Sequence, residues 1–174
     1  MRIRNLLSAM LLAMPLGLAS TAALAAPPPN WMQVDAKNET VQLDISMGEP
    51  GTAGGFNFNG YANGSMTVTV PAGWTVKVKA DDVDKYLAHS LEIVDAQDKP
   101  PVQALEPAFP KAETPDVKTG IKPSQKASFT FKADKPGEYW IMCGVPGHAL
   151  GGMWDKLIVS ESATTPSVSM QKAS

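Results

Sequence analysis

Tyr139-Trp-Ile-Met-Cys143-Gly-Val-Pro-Gly-His148-Ala-Leu-Gly-Gly-Met153-Trp-Asp-Lys-Leu157-Ile-Val159 is the stretch of this 174-residue chain that decides its reading. Tyr139, Ile141 and Cys143 share one parity, and residues 157–159 read as a second, final strand. Cys143 ends the first strand, Met153 begins the next, and His148 stands between them in a loop. Glycines let that loop turn tightly and Pro146 stiffens it.

Upstream, the same alternation recurs. Val41, Leu43 and Ile45 alternate with polar residues, as do Met66, Val68 and Val70, then Trp74, Val76 and Val78. Leu91 and Ile93 follow His89 at the same parity, and Phe129 and Phe131 mark a further run. Gly and Pro turn signals at 48–55, 71–73 and 136–137 separate these segments. Seven or eight short strands at such spacing predict an all-β antiparallel sandwich or barrel. Residues 98–123 hold six prolines and break the rhythm, predicting a long surface loop with at most a short helix.

The N-terminus reads as a secretory signal peptide over residues 1–25. Arg2 and Arg4 precede an apolar core at 6–18, and Ala23-Leu24-Ala25 supplies the small-residue cleavage pattern. Residues 26–39 follow as a Pro-rich linker and N-terminal extension, 40–160 as the folded domain, and 161–174 as a Ser/Thr-rich disordered tail. Without the leader, the 15 basic and 17 acidic side chains become 13 and 17, a net charge of −4. The lysines that remain are scattered, which argues against a nucleic-acid partner. The expected location is periplasmic or otherwise exported, without membrane attachment.

Exported proteins usually employ cysteine in disulfides. One Cys cannot form an internal disulfide, so something else must occupy Cys143. Two imidazoles, a thiolate and a weak axial thioether are the ligand set of electron-transfer copper. His89, Cys143, His148 and Met153 supply that set, and the mature chain has no other His. Thiolate and thioether suit Cu(I), while imidazole suits both oxidation states. The cofactor expected is therefore one copper ion.

The ligand loop, the segment Phe56-Asn-Phe-Asn-Gly-Tyr61-Ala-Asn-Gly and the His89-Ser-Leu-Glu-Ile segment resemble sulfocyanin, close kin of rusticyanin, over about residues 41–160. The Cys-x4-His-x4-Met spacing is similar to that branch, whereas plastocyanins have a shorter first gap and azurins a shorter second one. The resemblance implies a cupredoxin Greek-key fold and copper on His89, Cys143, His148 and Met153. It also implies a role in a respiratory chain. A monomer is expected, with redox partners such as a cytochrome c or a terminal oxidase or reductase. Archaeal sulfocyanins are typically membrane-attached, whereas this leader looks cleaved. Ser90 occupies the place where many small blue copper proteins have Asn, so it is expected to hydrogen-bond across to the ligand loop.

Other residues carry weaker signals. Phe56, Phe58, Tyr61 and Trp154 could form an apolar shell over the metal or ordinary core. Met142 points away from the ligand side by strand alternation. His148 is expected as the exposed ligand and electron exit, within an apolar patch of Pro146, Ala149 and Leu150. Asp81, Asp82 and Asp84, with Lys85, read as a solvated loop, and Lys118, Lys122 and Lys126 as solvated surface.

Competing functions divide on donor count. A multicopper enzyme needs further His-rich centres, and a binuclear copper centre needs two Cys. Zinc rarely takes a thioether. A periplasmic copper carrier or storage protein is the alternative, although carriers expose Met/His clusters or C-x-x-C, which this chain lacks.

Overall fold

The computed structural model describes residues 27–171. The leader expected at 1–25 lies outside the described residues. Nine strands form in chain order: β1 Met32–Asp35, β2 Thr40–Met47, β3 Met66–Pro71, β4 Thr75–Asp82, β5 Glu92–Asp95, β6 Lys126–Lys132, β7 Gly137–Met142, β8 Trp154–Ser160 and β9 Ser167–Met170. They make two sheets, ordered β1-β2-β4-β6 and β5-β7-β8-β3-β9. Because β3 lies in sequence between β2 and β4 but belongs to the other sheet, β2 and β4 pair in parallel, as do β3 and β8. The all-β sandwich expected from the alternation, with the Greek-key fold the resemblance implies, is what the chain forms; these two parallel pairs correct the expectation of an antiparallel arrangement throughout.

Parity dictates the core. Val41, Leu43, Ile45 and Met47 of β2 and Val76, Val78 and Ala80 of β4 turn inward to meet Met66, Val68, Val70, Ile141 and Leu157 of the opposite sheet. The other parity of β7 faces outward into a smaller buried cluster of Trp140, Met142, Val94 and Ala149. Trp154 stacks on Trp140 with ring centroids 4.0 Å apart. Both faces of β7 are thus covered, and Met142 is buried on the side away from Cys143.

Three segments depart from expectation. Residues 26–39 include β1, which pairs antiparallel with β2. The described part of the tail expected to be disordered, residues 161–171, includes β9: it adds an edge strand beside β3, with Val168 opposite Val68, while 172–174 lie outside the described residues. Edge pairing rewards a backbone row that side-chain composition does not reveal.

Residues 98–123 also do more than wrap the surface. They form no regular element but pair with alternate residues around β5: Ile93 donates to Ala112 O (2.9 Å), Thr114 to Leu91 O (2.9 Å) and Ile121 to His89 O (2.9 Å). The loop thereby covers the open edge of β5. It also inserts Phe109, fully buried, against Phe131 and Tyr139 at centroid distances of 5.0 and 4.7 Å. Phe109→Ala is expected to cost about 3–5 kcal/mol in chemical denaturation. A loss below 1 kcal/mol would mean that the loop is only draped over the sandwich.

Candidate metal centre

His89 sits just before β5, and Cys143 just after β7, so the pairing of these strands sets the two side by side. The connection from β7 to β8 is a tight series of turns. His148 N donates to Val145 O (3.1 Å), Met153 N to His148 O (3.0 Å) and Cys143 N to Met153 O (3.1 Å). The last bond closes the loop on itself and holds Cys143 and Met153 as neighbours in one buried cluster. Gly152, at φ +106°, lies where a Cβ would strike the Asn63 side chain at 2.7 Å. That position therefore requires glycine twice over.

The ligating atoms of His89, Cys143 and His148 all lie within 4.8 Å of one another. His148 Nδ1 is 3.5 Å from Cys143 Sγ. His89, Cys143 and Met153 are fully buried, and His148 is half-buried. His148 is the ligand candidate nearest solvent, as expected. Exposed Pro146 and Leu150 flank it, but Ala149 is buried, which corrects its place in the surface patch. Val102, 63% exposed, is tied to the same loop, its carbonyl accepting from Gly147 N at 2.7 Å.

Ser90 behaves as expected and does more. Its amide donates to Cys143 Sγ (3.3 Å), its hydroxyl accepts from Gly144 N (3.0 Å) and donates to Val117 O (2.7 Å). With its single proton given to that carbonyl, the hydroxyl has none left for the sulfur 3.5 Å away. The thiolate therefore receives the Ser90 amide, and the hydroxyl holds the loops around it. Of the four aromatic candidates, Phe56 reaches both rings, with centroids 4.8 Å from His148 and 6.5 Å from His89. Phe58 belongs to the core and Trp154 to the outer cluster.

Within the acidic run before His89, Asp82 and Asp84 do not belong to a solvated loop, whereas Asp81 pairs with Lys126 at the surface and Lys85 is exposed. Asp82 is fully buried and accepts from His89 N at 3.0 Å. Asp84 Oδ2 lies 3.3 Å from His89 Nε2. One signal could have found Asp82: it continues the inward parity of Val76, Val78 and Ala80.

Electrostatics favours neutral forms at this centre. Burial pushes the Cys143 thiol up, against opposing hydrogen bonds from Ser90. Burial, then the nearby His89, pulls His148 down to about 4. His148 is thus a neutral imidazole at neutral pH, free to ligate. His89 Nδ1 is buried with no hydrogen-bond partner in the protein. An orphaned imidazole nitrogen facing a buried thiol and a second imidazole is costly to leave bare and suits a metal of intermediate softness.

A family model described as Sulfocyanin (SoxE) domain matches residues 27–170. The chain belongs to the sulfocyanin family. It is 28% identical over 149 residues to the sulfocyanin of Sulfolobus acidocaldarius, covering 75% of this chain and 69% of that one. A rusticyanin of Acidithiobacillus ferrooxidans is 32% identical over 99 residues, which span 53% of this chain and 59% of the rusticyanin. Among solved structures, rusticyanin from Thiobacillus ferrooxidans has a TM-score of 0.51 at 24% identity, covering 75% of this chain and 86% of that one. That likeness speaks for the cupredoxin fold. The His89-Cys143-His148 cluster in a sulfocyanin-family chain takes one copper ion.

Behind the ligand loop lies a further buried acid. Glu92 Oε1 accepts from Leu105 N at 3.3 Å, while Oε2 is buried without a partner. Burial, with Glu113 and Glu106 adding repulsion, pushes Glu92 up to about 7. Its folded pKa exceeds its unfolded one, so its contribution to stability is intact at low pH and is lost as pH rises towards 7. In the copper-free protein, the stability of Glu92→Gln relative to wild type should increase by on the order of 2 kcal/mol between pH 4.5 and pH 8. A pH-independent difference in urea denaturation would show that the fold does not raise the Glu92 pKa.

Proposed function

We propose that this chain is a mononuclear blue copper protein carrying single electrons between respiratory-chain partners outside the cytoplasm. His89, Cys143 and His148 would form the trigonal plane and Met153 the weak axial ligand. The observation that carries this reading is convergence: both histidines and the only thiol of the chain meet at one buried point.

When bound, copper supplies the one-electron couple. The residues around it hold still. Hydrogen bonds close the loop from 143 to 153, and Ser90 fastens that loop to the neighbouring chain, so the donor positions change little with oxidation state. Phe56 and the core residues keep water from the thiolate. His148 meets solvent among Pro146, Leu150 and Val102, a small apolar face suited to brief docking of a redox protein such as a cytochrome c or a terminal oxidase or reductase. Among the described residues no helix is long and apolar enough to cross a membrane. With the leader read at 1–25, we read the chain as a monomeric periplasmic or otherwise exported electron carrier without substrate turnover.

The test is the visible and electron paramagnetic resonance spectrum of the Cu(II)-loaded mature chain. An intense blue thiolate-to-copper band with narrow hyperfine splitting, bleached reversibly by ascorbate, is the expected result. Cys143→Ser should abolish the colour; a blue Cys143→Ser variant would overturn the assignment. Met153→Leu should remain blue with a higher reduction potential in voltammetry, and an unchanged potential would remove Met153 from the ligand set.

A further inference from the structure

His89 and His148 are unequal ligands, and the difference lies in what stands behind them. His89 has its Nε2 3.3 Å from Asp84 Oδ2, and its Nδ1 is buried and unpartnered. A carboxylate accepts but does not donate, so the proton sits on Nε2 and the lone pair on Nδ1. That is the tautomer in which Nδ1 can ligate.

The carboxylate is itself held in place. Asp84 Oδ1 accepts from the amides of Tyr86 (2.7 Å) and Leu87 (3.1 Å), leaving Oδ2 for the imidazole. Asp82 closes the segment from beneath, accepting from Asp84 N (3.1 Å) with one oxygen and from His89 N (3.0 Å) with the other. Space for the pair is reserved by two glycines with positive φ. A Cβ on Gly48 would lie 2.7 Å from His89 Nε2, and a Cβ on Gly55 would lie 2.9 Å from Asp84 Oδ2. Neither atom could be accommodated without moving the pair. Capping of the loop explains the Oδ1 bonds, but neither the Oδ2 contact nor the cleared space around it.

We propose that Asp84 is a positioning residue for the copper centre: it locks the His89 tautomer and strengthens His89 as a donor, thereby favouring Cu(II) and lowering the reduction potential. The inference rests on the copper reading above. An anionic acceptor on the far nitrogen raises the basicity of a ligating imidazole, and loss of such a partner typically weakens metal binding by 10–100-fold. The more highly charged ion gains most from a stronger, partly anionic donor. His148, half-exposed, provides no comparable anchor.

The experiment compares wild type, Asp84→Asn and Asp84→Ser. Both replacements keep a side-chain oxygen that can cap the loop, and both remove the carboxylate. The expected result is a preserved blue band and a potential raised by about 59 mV, a tenfold loss in Cu(II) binding relative to Cu(I). Nitrogen-resolved NMR of the copper-free protein supplies a second readout. Wild type should show His89 as the Nε2–H tautomer, and both variants should lose that preference. A merely structural aspartate would lower the melting temperature while leaving potential and tautomer unchanged, and that outcome overturns the proposal. Should neither variant fold, a copper-free wild type with His89 protonated at Nδ1 would overturn it equally. A wild type without the blue band would instead sink the copper reading itself.

Discussion

The Ser90 hydroxyl ties three stretches of chain together at one point. It accepts from the Gly144 amide, donates to the Val117 carbonyl, and belongs to the residue whose own amide points at Cys143 Sγ. The first stretch brings His89, the second brings the cysteine, and the third is the long loop that covers both. Each bond is worth about 1 kcal/mol on its own. Their shared effect is geometric. With one atom fixing the spacing between residues 89, 117 and 143, the imidazole and the thiol cannot drift apart without breaking a buried network, whose loss leaves several groups unsatisfied at once.

Around this knot the protein tolerates unfavourable electrostatics. His89 Nδ1 has no partner, the Cys143 thiol is pushed up by burial, and His148 is held neutral far below its usual range. Such features cost stability in the empty fold, and the sandwich around them supplies the rigidity to keep them assembled. A metal held by these residues would relieve them together, because it would take up the imidazole lone pairs and replace the thiol proton. Copper affinity and folding would be coupled for that reason.

The Pro-rich loop at 98–123 completes the arrangement. Its amides and carbonyls substitute for a missing strand along His89, Leu91 and Ile93, and its Val102 and Ala104 reach the ligand loop through bonds with Gly147 and Gly144. Proline limits how far such a segment can unfold locally, since fewer backbone states are open to it. An irregular segment that contacts both halves of the site can therefore be as stiff as a strand.

Two kinds of information were legible before any coordinates. Strand parity is a local property, since alternate side chains must face opposite ways whatever the rest of the chain does. It was enough to locate β2 to β8 and to send Met142 away from Cys143. Donor chemistry is compositional: two imidazoles, one thiol and a thioether at short spacing leave few metals to choose from. The rest depended on which segments lie beside one another in space. The pairing of β9 with β3, the burial of Ala149, the burial of Phe109 by the long loop and the use of Asp84 behind His89 arise from contacts between residues not joined by periodicity. A charged run looks the same in sequence whether water or a histidine receives it. Only the folded chain, by closing residues 82–89 over His89, decided that Asp84 turns to the imidazole, because backbone amides and an imidazole there replace the hydration that burial removes.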